Sequence, residues 1–171
     1  MRKLWIAILM MVPCMFARGD DRNCKEVSGG VVTNFLTESG TVNFPNESGK
    51  TFLFTTLGTA TGDLQGALGV YIFSVTAGPN NSVVVKVHHH WVTEAGDTIF
   101  LQDATATAFQ VGSFSGVYAV ADDSYTVNIV GGTGRFAGAS GRLSTIGVLD
   151  TNQGKVVLRY QGTICFASPQ H

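Results

Sequence analysis

Cysteine, proline and charge are all scarce in this chain, and each scarcity removes a class of protein. Only 13% of the 171 residues are charged while 44% are hydrophobic, so one domain with a sizeable core is the expected unit. Eleven Lys and Arg face twelve Asp and Glu. With no basic excess and no basic stripe interleaved with aromatics, a phosphate backbone finds no complementary surface, which excludes nucleic acid as a partner. Four prolines accompany twenty-one glycines, and no stretch outside the N-terminus keeps a helical period. The class this implies is all-β with tight turns. The three cysteines have no histidine or asparagine context that would mark a nucleophile.

What is present begins with MRKLWIAILMMVPCMFARGDD. Arg2 and Lys3 precede an apolar run from Leu4 to Phe16, which ends at Arg18, Asp20 and Asp21, the pattern of a signal peptide. The run is several residues short of the roughly twenty that span a bilayer. A leader of residues 1–17 takes Arg2, Lys3 and Cys14 with it, leaving nine basic residues against twelve acidic ones and a formal charge of minus three. The expected location is secreted or periplasmic, with no membrane attachment. Cys24 and Cys165 then remain, near the two ends of a domain spanning 24–166. In an oxidising compartment they are expected to pair; two buried thiols are the alternative.

Along the domain, strands are expected at Val27–Leu36, Phe52–Gly62, Gly66–Thr76, Val83–Thr93, Thr98–Ala108, Phe114–Val120, Tyr125–Val130, Ser140–Leu149 and Lys155–Cys165. Residues 37–49 read as a long polar connection and Ala77–Ser82 as a turn. The run Gly66–Thr76 is apolar on both faces, so one face meets a dry lumen and the other a covering element or partner subunit. Eight or nine strands in hairpin order, without helical crossovers, fit an antiparallel up-and-down β-barrel, whose closure removes the sheet edges.

The densest local signal is IVGGTGRFAGASGRL, from Ile129 to Leu143, with Gly131, Gly132, Gly134, Gly138 and Gly141. Its GxGxxxG spacing is wrong for a phosphate loop and no helix pattern follows, so it reads as a structural corner between strands. Arg135 and Arg142 are expected at the barrel rim. This run, followed by YQGTI at Tyr160–Ile164, resembles the signature of the allene oxide cyclase and dirigent barrel superfamily. The resemblance implies an eight-stranded barrel with a central cavity, often trimeric, that handles a reactive apolar intermediate. It carries over no catalytic residue.

Candidate site residues come from the strands. His88 and His90 share a face with Lys86, while His89 lies on the other face with Val87 and Trp91. Three readings stand for His88 and His90: a metal pair completed by Asp103, lining of a ligand cavity, or a polar outer face, which Lys86 favours. Asp103 interrupts the apolar set Ile99, Leu101 and Thr105, so it is either a lumen carboxylate or the partner of a surface cation. Tyr71 and Tyr160 complete the ligand-lining candidates. The combined expectation is a barrel binding a small hydrophobic molecule, or a stable extracellular module, without metal or cofactor. The alternative is a cyclase or isomerase acting on an unsaturated apolar substrate in the lumen.

Overall fold

A computed structural model describes residues 23–44 and 47–167; the expected leader at 1–17 lies outside them. The elements in order are β1 (Asn23–Leu36), β2 (Gly40–Phe44), β3 (Glu47–Phe52), β4 (Phe54–Ala60), β5 (Gly66–Ala77) and β6 (Ser82–Thr93). They are followed by β7 (Thr98–Leu101), β8 (Ala104–Gln110), β9 (Val117–Gly132), β10 (Ser140–Asp150) and β11 (Lys155–Phe166). Every pairing is antiparallel, and β11 returns to β1 in register from Asn23 against Phe166 to Asn34 against Lys155, so the sheet closes on itself. No helix of the described residues is long and apolar enough to cross a membrane.

The eleven segments found among the described residues differ from the eight or nine expected in three ways: Phe114–Val120 and Tyr125–Val130 are one continuous strand, β9, which runs on through residues 121–124, and two changes add strands. The run Thr98–Ala108 is not continuous: β7 and β8 share one place between β6 and β9, and the chain breaks at Gln102 and Asp103. Residues 37–49 are not a plain connection either, since β2 and β3 pair as a hairpin outside the barrel sheet. Its described side chains are half-buried or exposed, so no fully buried stripe marks it as a hairpin.

Alternation along each strand puts one face inside. Val31 and Thr33 of β1, Val87, His89 and Trp91 of β6, and Val156, Leu158 and Tyr160 of β11 are all buried. One barrel end is plugged by the 3₁₀ turn Gly62–Leu64, which tucks Leu64 into the interior. Its backbone is fully accommodated: Trp91 Nε1–H donates to the Leu64 carbonyl at 2.8 Å, the Leu64 N–H donates to Tyr160 Oη at 2.9 Å, and the Tyr160 hydroxyl donates to the Thr61 carbonyl at 2.8 Å. A plug that left these groups unpaired would cost about 1–3 kcal/mol for each.

The glycine corner closes the same end through a second 3₁₀ turn, Gly134–Phe136, whose Phe136 ring is fully buried. Gly134 sits at φ +52, and a Cβ there would lie 1.8 Å from an Asp97 carboxylate oxygen. At Gly132 a Cβ would come within 2.3 Å of the Thr98 carbonyl. The corner is thus a packing device, and Arg135 beside it sits 3.9 Å from Asp97.

Cys24 and Cys165 face each other across the β1–β11 seam and form a disulfide, with their Cα atoms 3.9 Å apart. It closes a loop of 141 residues, a constraint worth roughly 2–5 kcal/mol. Outside the barrel, the β2–β3 hairpin lies over β5. The Phe52 ring meets Tyr71 edge-on at 5.2 Å and Lys50 Nζ stands 4.5 Å over the Phe73 ring. The chain itself therefore covers part of the second apolar face of Gly66–Thr76.

Candidate functional site in the barrel lumen

The lumen holds a cavity of about 230 Å³. It runs from Trp91 and Tyr160 at the plugged end, past Val85, Val87 and Ala106, to Phe35, Phe54 and Tyr118 toward the other. Among the described residues, no Asp, Glu, Lys or Arg lines it. The polar groups on its wall are hydroxyls, from Thr33, Thr56, Thr145 and Thr151 and from three tyrosines, together with one imidazole, His89.

His89 and Tyr125 form the polar focus of this wall. β6 and β9 hold them on opposite sides of β8, with the ring centroids 5.8 Å apart and nearly parallel, and His89 Nε2 hydrogen-bonds the Tyr125 hydroxyl. The Tyr125 backbone is itself fixed, since the Thr145 hydroxyl donates to its carbonyl at 3.2 Å. Burial, reinforced by the neighbouring charge of His88, lowers the His89 pKa to about 3, so the ring is neutral at ordinary pH. Burial also pushes the Tyr125 phenol up, keeping it protonated. Between a neutral phenol and a neutral imidazole, the phenol is the stronger acid. We therefore assign the bond as Tyr125 O–H donating to Nε2, which places the imidazole proton on Nδ1.

That Nδ1 has no partner in the protein. Among the described residues, the buried side-chain polar atoms without a hydrogen bond are His89 Nδ1 and Thr33 Oγ1. Both residues line the cavity. Since more than nine in ten buried polar groups are paired, two exceptions on the lining of one cavity single out that cavity.

The sequence-predicted candidates divide between the two faces. Tyr160 lies in the lumen, at the floor, where burial raises its pKa against the opposing hydrogen bond from Leu64 N–H. Tyr71, His88, His90 and Asp103 do not line the cavity. Tyr71 stands opposite His88 on the outer wall, and His90 is exposed beside Phe100. The reason is parity: Val83, Val85, Val87, His89 and Trp91 take the inner face of β6, which leaves the even-numbered positions outside. Asp103 sits at the break between β7 and β8, exposed, where it accepts from Lys50 and from His88 Nδ1 at 2.8 Å. Partial burial opposes its charge, but the hydrogen bonds from Lys50 and His88 outweigh it and hold the carboxyl below its usual range. Among the described residues, no group of three His, Cys, Asp or Glu side chains is placed to hold a metal ion.

Two lumen residues escaped the sequence reading. For His89 the signal was available, because Val87 and Trp91 share its face and such neighbours mark an interior position. For Tyr125 the alternation with Val127 and Ile129 carried the same information.

The molecule is thus a closed antiparallel barrel with an apolar, uncharged lumen. No family model matches the chain, and no curated protein matches it either. Among solved structures, the chain is similar to the pterocarpan synthase dirigent protein GePTS1 at 14% identity, over 90% of this chain and 91% of that one, with a TM-score of 0.36. A second pterocarpan synthase dirigent protein, PsPTS1, is 13% identical over 85% of this chain and 97% of that one, with a TM-score of 0.35. At that distance the site has to be understood from its own residues.

Proposed function

We propose that this is an exported barrel that binds a small hydrophobic molecule in its lumen, without a metal or organic cofactor. The observation that carries the reading is the cavity of about 230 Å³ inside the barrel, walled by aliphatic and aromatic side chains and, among the described residues, free of formal charge. Concave, mostly apolar pockets with a few placed polar groups are the usual form of small-molecule sites. Its size lies above the roughly 150 Å³ of an apolar cavity that holds benzene and below the 300 Å³ or so where drug-sized sites begin. A bicyclic or short-chain lipophile fits that range. The Cys24–Cys165 disulfide supports an oxidising compartment.

The test fills the cavity. Ala106 is buried and lines the lumen, so Ala106→Phe should weaken binding of naphthalene, followed by its fluorescence, by at least about tenfold, at an overpacking cost of about 1–3 kcal/mol. Unchanged affinity in a folded variant would place the ligand elsewhere.

A second reading, a cyclase or isomerase acting on an unsaturated apolar substrate, is favoured by the convergence of His89 and Tyr125 in the lumen. Acid–base catalysis works best with pKa values near the operating pH, and both groups are displaced away from neutrality. Binding is therefore the function the site supports better.

A further inference from the structure

We infer that the lumen is specific for a neutral lipophile carrying a hydrogen-bond acceptor oxygen, such as a ketone, and that His89 recognises that oxygen. The inference rests on the lumen-binding reading and adds a ligand class to it.

Two independent features converge on this class. First, the lining carries His89 Nδ1–H and the Thr33 hydroxyl with no hydrogen-bond partner among the described residues, although Thr33 is only 1% exposed and His89 only 6%. A native core does not normally leave such groups unpaired, and a ligand atom that accepts from His89 recovers what burial removed there. Because Tyr125 O–H occupies Nε2, the group left over on the ring is an N–H donor, which calls for an acceptor in the ligand.

Second, charge is excluded. The lining has no Lys or Arg to meet a carboxylate and no Asp or Glu to meet an ammonium, and the imidazole itself stays neutral because burial disfavours its cation. A charged headgroup entering this space would lose its hydration with no opposite charge to replace it. Fatty acids and amines are rejected, whereas a carbonyl loses little hydration and gains a donor. Hydrocarbons fit by shape but leave the imidazole N–H unpaired.

The experiment compares three ligands of one shape on the folded, oxidised protein: tetralin, 1-tetralone and 1,2,3,4-tetrahydro-1-naphthoate, each titrated by calorimetry at neutral pH. Expected are binding of tetralin, roughly tenfold tighter binding of tetralone, and no measurable binding of the carboxylate. In His89→Phe the ratio of tetralone to tetralin affinity should fall to about unity. If tetralin and tetralone bind the wild type equally, the recognition inference is wrong and the lumen reading survives. Carboxylate binding as tight as tetralone binding overturns the exclusion of charge. If none of the three binds, the lumen reading itself fails. Should His89→Phe not fold, His89→Leu decides the matter, since a tetralone preference unchanged in that variant overturns the assignment.

Discussion

The two faces of β6 place three consecutive histidines in opposite environments. His89 points inward among Val87, Trp91 and Tyr125 and is 6% exposed, while His88 points outward to Asp103 and the Lys50 of the β2–β3 hairpin. A single residue of register separates a neutral imidazole in a dry lumen from one hydrogen-bonded to a carboxylate at the surface. The pleat alone decides which of two identical side chains can serve recognition and which fastens a surface hairpin.

The sharpest way to break this contrast is to truncate one residue on each face. Trp91→Ala removes a ring packed edge-on against Tyr160 at 5.3 Å and the hydrogen bond to the plug at Leu64. A loss of about 3–5 kcal/mol is expected in urea unfolding. His90→Ala, on the exposed face, should stay within about 0.5 kcal/mol. Comparable losses from the two would show that the inner and outer faces have been misassigned.

Acid should separate the faces next. His89 titrates at 6.5 when unfolded and at about 3 when folded, so between those values the unfolded chain binds the extra proton. Stability then falls as pH drops from about 6.5 toward 3, by a total of a few kcal/mol at about 1.4 kcal/mol for each pKa unit. Urea midpoints measured from pH 7 to pH 4 should decline in the wild type and flatten in His89→Phe. Asp103 acts in a different window: its lowered carboxyl pKa stabilises the fold above the unfolded value of 3.8, and that contribution is lost only as pH falls below it. A decline that persists unchanged in His89→Phe would shift the origin of acid sensitivity away from the lumen.

The smallest effect belongs outside. Asp103→Asn weakens an ion pair whose carboxylate is 42% exposed, and exposed pairs contribute under about 1 kcal/mol, less in high salt. Global melting should barely move, while amide exchange in the β2–β3 hairpin accelerates. If exchange there does not change, Phe52 and Tyr71 hold the hairpin without help from the ion pair.

Much of the barrel was legible because its signals are local. Turn chemistry at Ala77–Ser82, the glycines of Ile129–Leu143 and the double-sided apolarity of Gly66–Thr76 each belong to a short segment, and the cysteines 24 and 165 were the two left beyond the expected leader. The candidate site was less legible. Its polar residues are single members of apolar stripes: His89 hides between Val87 and Trp91, Thr33 between Val31 and Phe35, and Tyr125 beside Val127. A triplet of histidines draws attention to the pair His88 and His90, yet pairing at i and i+2 says only that two residues share a face and not which face it is. The hairpin was illegible for another reason. Its described side chains alternate only between half-buried and exposed, a weak signal in a polar stretch, and Lys50 reaches Asp103 from a part of the chain 53 residues away.

The bridge between Cys24 and Cys165 joins the first strand to the last, and so turns a rolled sheet into a covalent hoop. A barrel fastened only by hydrogen bonds could unroll where its ends meet; this one cannot. A single backbone cut in any loop between the two cysteines would still leave one covalently connected molecule. Elsewhere on the circumference β7 gives way to β8 and the β8–β9 register slips between Ala106 and Ala108. Ala106 and Ala108 both line the cavity, so this irregular pairing lies at the lumen wall and away from the covalent seam.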